Sequence, residues 1–173
     1  MPLLRLTQVI HRPVAEVFDA VIDVGNFPRW NPTTKTARRL SQGEPGNGTR
    51  FELEIQGFGK TVQELQDFQR NKSVKLVPHI KSLAGGHRFE FTAVENGTRV
   101  DHELEMTPKG LFRLMLPMMG ILGRKNLRAT AGALKSFLEK GADQAPRANL
   151  DVSEGPHERP RKWPPPASAS TPA

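Results

Sequence analysis

Short segments of alternating apolar and polar residues occupy the middle of the chain and predict β-strands. Phe51, Leu53 and Ile55 fall at every second position, with polar residues between them, so they share one face of a strand. The same period of two recurs in three later segments, 74–80, 87–91 and 100–106. One apolar and one polar face are typical of an antiparallel sheet that is covered on one side.

A helix is predicted between a first strand at 3–10 and the run of strands that begins near Thr33. Pro13 suits the first helical position, because its missing N–H would have no partner there. Apolar residues follow at helical spacing, at Val14, Val17, Phe18, Val21 and Ile22. The segment 27–32 is too rich in proline to continue this helix, so we predict a second short helical turn that ends at Trp30.

An apolar stripe over residues 111–140 predicts a long C-terminal helix. A kink or a division into two segments is expected in its first third, at Pro117, Gly120 and Gly123. Gly141 is a suitable terminator. Residues 142–173 are rich in Pro, Ala, Ser and Arg and cannot bury enough apolar area to offset their ordering entropy. We therefore predict one domain over 1–141 and a disordered tail over 142–173.

Two Asn-Gly-Thr-Arg sequences, at 47–50 and 96–99, mark turns between the predicted strands. Asn-Gly favours a tight hairpin because both residues tolerate positive φ. The flanking residues do not match, so we predict two independent hairpins rather than an internal repeat. Between Lys60 and Phe68 the alternation is less regular, as expected where a β-bulge interrupts a strand.

Composition excludes several classes of function. The formal net charge is +7, but part of the excess lies in the tail and part in the predicted helix. Aromatic residues make up only 6% and no groove-reading motif is present, so a solvated basic face is preferred to nucleic-acid binding. The absence of cysteine fits a reducing cytoplasm. Neither a secretion signal nor an apolar run of roughly 20 residues is found, so we expect a cytoplasmic protein.

The opening segment 9–32 contains Ile10-His11-Arg12-Pro13, Val17-Phe18, Asp23 and Pro28-x-Trp30-x-Pro32 in this order. With the later Gly-Thr-Arg turns and the closing Leu134-Lys135-x-x-Leu138-Glu139, this order resembles the START-like, SRPBCC superfamily of helix-grip proteins, in its polyketide cyclase/dehydrase-like branch. The resemblance covers residues 3–140. It implies an α+β fold in which a curved antiparallel sheet of about seven strands surrounds a long C-terminal helix, with two short helices after the first strand.

The resemblance also implies a cavity between the sheet and the long helix, where a hydrophobic ligand would bind. A solid core built from the same residues is the alternative. The alternation of apolar and polar residues shows which side chains face inward, but it does not distinguish a cavity from a filled core. The expected ligand-binding residues are Phe27, Trp30, Phe51, Leu53, Ile55, Leu76, His87, Phe89, Phe91, His102, Leu104, Met106, Met115, Met118, Met119 and Leu122.

Two histidines, His87 and His102, fall at positions that place them on the apolar face of the predicted strands. His87 follows two glycines near a strand end, where a ring that reaches water or a backbone carbonyl is the simpler interpretation. His102 lies in mid-strand and is the candidate acid–base if the protein is an enzyme. We expect no cofactor and no metal, because the sequence has no phosphate-binding loop, no HExxH and no ligand spacing between histidines.

We therefore expect a monomeric protein that binds a hydrophobic small molecule such as a lipid or a polyketide. One alternative is an enzyme of the polyketide cyclase or aromatase kind that uses His102, and whether the protein is an enzyme stays open. Another is a protein-interaction module that acts through the basic, Pro-rich tail. Contact of the segment 111–122 with a membrane surface is a further alternative, and no nucleic-acid partner is expected.

Overall fold

The computed structural model of the protein describes residues 3–81, 83–110 and 116–141. In these ranges seven strands and three α-helices follow one another along the chain. Their order is β1 (Leu3–Ile10), α1 (Val14–Ile22), a 3₁₀ turn (Val24–Asn26), α2 (Phe27–Trp30), β2 (Thr34–Arg39), β3 (Arg50–Ile55), β4 (Gly59–Gln69), β5 (Ser73–Pro78), β6 (Leu83–Val94), β7 (Gly97–Pro108) and α3 (Leu116–Lys140).

The strands form one antiparallel sheet in the order β1-β7-β6-β5-β4-β3-β2. Strands β2 to β7 follow one another as a meander, and β1 closes the series by pairing with β7. Helix α3 packs against β1 and β7, and α2 contacts both β2 and α3. The predicted α+β architecture, a curved seven-stranded sheet with a long C-terminal helix, is confirmed.

Helix α1 forms because its apolar positions share one face that packs on the sheet. Val17, Phe18, Val21 and Ile22 are all buried. The ring of Phe18 meets that of Phe91 edge-on at 5.3 Å between centroids, a geometry worth about 0.5–1.5 kcal/mol beyond the area buried. The helix begins at Val14, so Pro13 precedes the first helical position instead of occupying it as predicted.

Both predicted hairpins are present, but only the second has a tight turn. β6 and β7 are joined by a two-residue turn at Glu95-Asn96, since Val94 pairs with Gly97. The segment 47–50 instead ends the loop 40–49 between β2 and β3. There the Asn47 side chain accepts a hydrogen bond from the Phe68 N–H at 2.9 Å, so its oxygen ties the loop to β4.

The predicted irregularity in β4 is confirmed. Its register with β5 shifts between Gln66 and Gln69, and Asp67 between them has a φ of 49°. Such a bulge bends the strand and increases its local twist.

Helix α3 runs without interruption from Leu116 to Lys140, so of the two predicted alternatives the division into two segments is wrong, and the kink stays a prediction. Pro117 is tolerated because an N–H in the first helical turn has no intrahelical acceptor. Gly123 lets the helix approach β7: a Cβ at this position would lie 2.7 Å from the Cε of Met106. Gly141, with a φ of 81°, follows the last helical residue as predicted. The segment 111–115 and the predicted tail over 142–173 lie outside the described residues.

The two edges of the sheet differ in how they are covered. At the β1 edge the side chain of Lys135 on α3 donates to the Val9 carbonyl at 2.7 Å. At the β2 edge Lys35, Arg38 and Arg39 are exposed on a strand that pairs with β3 on one side only. β1 is therefore tied to a helix, whereas β2 presents basic side chains to solvent.

Candidate ligand cavity between the sheet, α2 and α3

The inner face of the sheet has a solid part and an open part. Under α1, Phe18, Phe51 and Phe91 belong to one continuous buried core. The same core continues to Leu53, Leu76 and Phe89, which also line a partly open cavity of about 700 Å³ between the sheet, α2 and α3. Because both parts lie on the same face of the sheet, residues of identical parity have different surroundings.

The wall of the cavity is predominantly apolar. Phe58, in the turn before β4, is 58% exposed, and Leu122 on α3 is 55% exposed, so these two side chains mark the mouth. The apolar lining residues that the sequence predicted are Phe27, Trp30, Leu53, Ile55, Leu76, Phe89, Leu104, Met106 and Leu122.

Three predicted ligand-binding residues do not line the cavity. Phe51 and Phe91 are buried in the solid part of the core, and His102 lies behind His87. Strand parity assigns a side chain to a face but does not indicate which part of that face a helix covers. Of the predicted methionines, Met115 and the side chains of Met118 and Met119 lie outside the described residues.

Two consecutive glycines of β6 shape one side of the cavity. A Cβ on Gly86 would lie 2.3 Å from the carbonyl oxygen of Leu76 in β5. A Cβ on Gly85, whose φ is +115°, would lie 2.1 Å from the carbonyl oxygen of Glu105 in β7. The neighbouring backbones therefore approach too closely for any side chain, and the cavity wall is bare backbone at this point.

His87 and His102 form a hydrogen-bonded pair in the wall. The Nδ1 atom of His87 lies 2.8 Å from the Nε2 atom of His102. The His87 ring lines the cavity, whereas His102 is only 2% exposed and stacks on Phe89 with ring centroids 4.0 Å apart. The sequence predicted a ring that reaches water or a backbone carbonyl; the Nδ1 atom of His87 instead pairs with the side chain of His102, and the rest of the ring faces the cavity.

Both histidines are uncharged at neutral pH. Burial lowers the pKa of His87 to about 4, because a charged imidazolium would lose its hydration there. Burial, and then the neighbouring His87, lower the pKa of His102 well below its usual value. A neutral imidazole has one donor and one acceptor nitrogen, so the pair offers hydrogen bonds rather than charge.

Two further polar groups belong to the lining. The Oε1 atom of Gln63 and the Nε1 atom of Trp30 are buried, and neither has a hydrogen-bond partner among the residues placed by the structure. Gln63 was not among the ligand-binding residues predicted from the sequence. The signal was present, because Thr61, Gln63 and Leu65 keep a strict period of two before the bulge and are all buried.

Charge is sparse in this part of the molecule. Among the described lining residues only Glu105 and Lys125 carry charged side chains. Glu105 pairs with Lys75, with 3.6 Å between Oε2 and Nζ, and Lys125 is exposed on α3. Within the ranges that the structure covers, no group of three His, Cys, Asp or Glu residues could hold a metal ion. No helix there is long and apolar enough to cross a membrane.

Comparison with solved structures places the fold among known proteins. A START superfamily protein from Mycobacterium smegmatis superimposes with a TM-score of 0.67 at 19% identity, over 80% of this chain and 97% of that one. The Aha1 dimer from Colwellia psychrerythraea gives a TM-score of 0.61 at 16% identity, over 82% and 98%. The di-domain ARO/CYC protein StfQ of the steffimycin biosynthetic pathway gives 0.64 at 13%, over 80% of this chain and 50% of that one. At these identities the likeness concerns the fold.

Comparison of sequences assigns the family. No curated protein is similar enough to count as a relative. A family model described as polyketide cyclase / dehydrase and lipid transport matches residues 1–139, about four-fifths of the chain. The chain therefore belongs to the polyketide cyclase/dehydrase and lipid transport family, and it has the fold of START superfamily proteins, as its sequence predicted.

Proposed function

We propose that this protein binds a largely apolar small molecule, such as a lipid or a polyketide, in the cavity between the sheet, α2 and α3. The observation that carries the proposal is a space of about 700 Å³ with an apolar wall and a mouth at Phe58 and Leu122. Sites for small molecules have volumes of about 300–1,000 Å³ and similar linings. The family description, which joins polyketide chemistry with lipid transport, supports the same class of ligand.

The size of the cavity argues against a merely loose core. A dry void costs about 24 cal/mol per Å³, so 700 Å³ would cost about 17 kcal/mol. The whole free energy of unfolding of a typical domain is about 5–15 kcal/mol. The space is therefore not a closed, dry void: it opens to solvent at Phe58 and Leu122, and water against an apolar wall is readily displaced by an apolar group. An apolar ligand is the occupant that this wall favours.

An enzyme of the cyclase or aromatase kind is the second candidate, because the His87–His102 pair stands in the cavity wall. General acid–base catalysis is most efficient when the pKa of the catalytic group is near the working pH. With a pKa of about 4, His87 is a weak base at neutral pH. His102, the predicted acid–base, is separated from the cavity by His87. Hydrogen bonding of a ligand is thus favoured over proton transfer. The tail, through which a protein-interaction module would act, lies outside the described residues.

The fluorescence of Trp30 provides a direct binding experiment. The chain has two tryptophans, Trp30 and Trp163, so the variant W163F leaves Trp30 as the sole indole emitter. Titration with the neutral fluorophore N-phenylnaphthylamine is expected to quench Trp30 and enhance the probe emission, with saturation at one probe per chain. Native mass spectrometry of the purified protein would show any co-purified ligand. Absence of saturable binding by the probe would refute the proposal.

A charge placed on the cavity wall is expected to weaken binding by at least about tenfold. In Met106→Glu a carboxylate would lose hydration when an apolar ligand enters, and this desolvation costs several kcal/mol when no partner is present. Val94→Glu is the matched control, because Val94 is 38% exposed and lies at the far end of β6, outside the lining. Both variants are compared by probe titration after thermal melting has shown that they fold. Unchanged probe affinity in a folded M106E protein would contradict the proposed site.

A further inference from the structure

We infer that the cavity selects an elongated, uncharged ligand with a hydrogen-bonding group at each of two separated points, one at Gln63 and one at His87. The inference rests on the proposed function and makes it more specific, because it names the chemical class of the ligand. It depends on three observations, which are an unpaired buried amide, a histidine pair with one free ring nitrogen, and the scarcity of charge in the lining.

The first observation is the buried amide of Gln63. The side chain lines the cavity, the residue is 7% exposed, and its Oε1 atom has no partner among the residues that the structure places. A buried polar group without a hydrogen bond costs about 1–3 kcal/mol. Because Oε1 itself is closed to a water-sized probe, a ligand hydroxyl could donate to it only after the amide rotates and brings this oxygen into the cavity. That hydrogen bond would then remove the cost.

The second observation is the orientation of the histidine pair. His87 uses Nδ1 to bond Nε2 of His102, and its own Nε2 has no partner in the described part of the chain. When His102 donates, Nε2 of His87 carries a hydrogen and is a donor to the ligand. When His102 accepts, the same atom is an acceptor. The pair can therefore match either a carbonyl or a hydroxyl group without acquiring charge.

The distance between these two groups follows from the strand register. Gln63 of β4 pairs with Pro78 of β5, and His87 of β6 pairs with Leu76 of β5. The two residues are thus two strand spacings apart, roughly 10 Å, with a further offset of two residues, roughly 7 Å along the strands. Their Cα atoms are therefore on the order of 12 Å apart. Because Leu76 and Phe89 line the wall as well, the ligand is apolar between its two polar ends.

The third observation is that the lining favours a neutral ligand. Glu105 already has Lys75 as its partner, and Lys125 is exposed on α3. The described lining residues therefore offer no buried cation to a carboxylate deep in the cavity. A buried charge without a partner costs several kcal/mol, so a fatty-acid anion would leave its head group near the mouth. Such a ligand would not satisfy Gln63 and His87.

The test is competition against N-phenylnaphthylamine on the full chain. The competitors are oestradiol, a rigid diol with one hydroxyl at each end, the mono-ol analogue that lacks the ring-D hydroxyl, and palmitate. Oestradiol is expected to displace the probe at a concentration about tenfold lower than the mono-ol, as one additional hydrogen bond to a buried group would give. Palmitate should be the weakest of the three.

Variants connect this selectivity to the two residues. In Gln63→Leu/His87→Leu the wall is apolar at both points, so the diol and the mono-ol are expected to compete equally. Leu53→Met is the matched control, because it changes a lining residue without changing polarity and should keep the tenfold preference. Gln63→Met alone is a milder variant, expected to reduce the preference by severalfold, if the double variant does not fold.

The possible outcomes separate the two proposals. Failure of the neutral probe to bind would refute the proposed function. Binding of the probe with equal competition by all three ligands would overturn this inference and leave the proposed function in place. A preference for the diol that persists in a folded Q63L/H87L protein would also overturn it. The ligand series on the unmodified protein is decisive by itself, whatever the fate of the variants.

Discussion

Replacing Gly86 with alanine is expected to lower the free energy of unfolding by about 3 kcal/mol or more. The new Cβ would lie 2.3 Å from the carbonyl oxygen of Leu76, and a backbone atom of a paired strand cannot move aside as a side chain can. Relief requires β5 and β6 to separate beside the cavity. Overpacking alone costs about 1–3 kcal/mol, and the strained hydrogen bonds between the two strands add to it. Urea denaturation followed by circular dichroism measures the loss.

Gly132→Ala is the control for this experiment. Gly132 lies in α3, and an added Cβ would meet nothing within 4 Å. Because alanine favours the helix over glycine, this variant is expected to be more stable by up to about 1 kcal/mol. Neutral surface changes usually alter the free energy of unfolding by no more than about 0.5 kcal/mol. A Gly86→Ala protein within that range of the unmodified chain would show that the added Cβ does not clash with the backbone of β5.

Acidification from pH 7 to pH 4 is expected to remove about 3 kcal/mol from the free energy of unfolding through His87. In the folded protein the pKa of His87 is about 4, against 6.5 for a free histidine. The unfolded chain therefore binds the proton more readily than the folded one, and stability falls as protons are added. The contribution is complete above pH 6.5 and is lost progressively down to pH 4, at 1.36 kcal/mol per unit of pKa difference, which gives the value of about 3 kcal/mol. His102, whose pKa is also lowered, acts in the same direction.

The measurement is a series of urea denaturation curves between pH 7 and pH 4. His87→Leu/His102→Leu should show a much smaller loss over this range, even if its stability at pH 7 differs from that of the unmodified protein. His79→Asn leaves the His87–His102 pair intact and should keep most of the loss, since it removes only the exposed contact between His79 and Glu64, 3.3 Å from Nε2 to Oε2. If the double variant lost as much stability as the unmodified protein, the buried pair would not be its source.

The sequence was sufficient to predict the face of the sheet that is turned inward. Leu53, Leu76 and Phe89 follow a simple period of two, and all three line the cavity. Parity could not separate these residues from Phe91, which has the same orientation but packs on Phe18 of α1. The position of a helix over a sheet depends on packing between distant segments, and no local pattern records it.

The histidine pair depends on a detail of one turn. With Glu95 and Asn96 at the turn, His87 lies opposite Leu104 and Phe89 lies opposite His102, so the two histidines are diagonal neighbours on one face. The Asn-Gly signal would place the turn one residue later. That displacement shifts the register of the whole hairpin by two residues and moves the rings apart. The sequence predicted that both histidines lie on the apolar face of the sheet. Whether their rings meet depends on the register between β6 and β7, which the sequence did not predict.

The basic β2 edge has a consequence for contacts between copies of the chain. The unpaired N–H and C=O groups of an edge strand can add a strand from another molecule and so begin a growing sheet. Lys35 and Arg38 pair with Glu54 and Glu52 of β3, which neutralises part of their charge, whereas Arg39, among the described residues, bonds only the Gly43 carbonyl and keeps its full charge. Two such edges would bring this remaining positive charge together if they met. Their repulsion opposes growth of this kind and weakens as salt screens it. The β2 edge thus protects the folded protein against fibre-like aggregation, most strongly at low ionic strength.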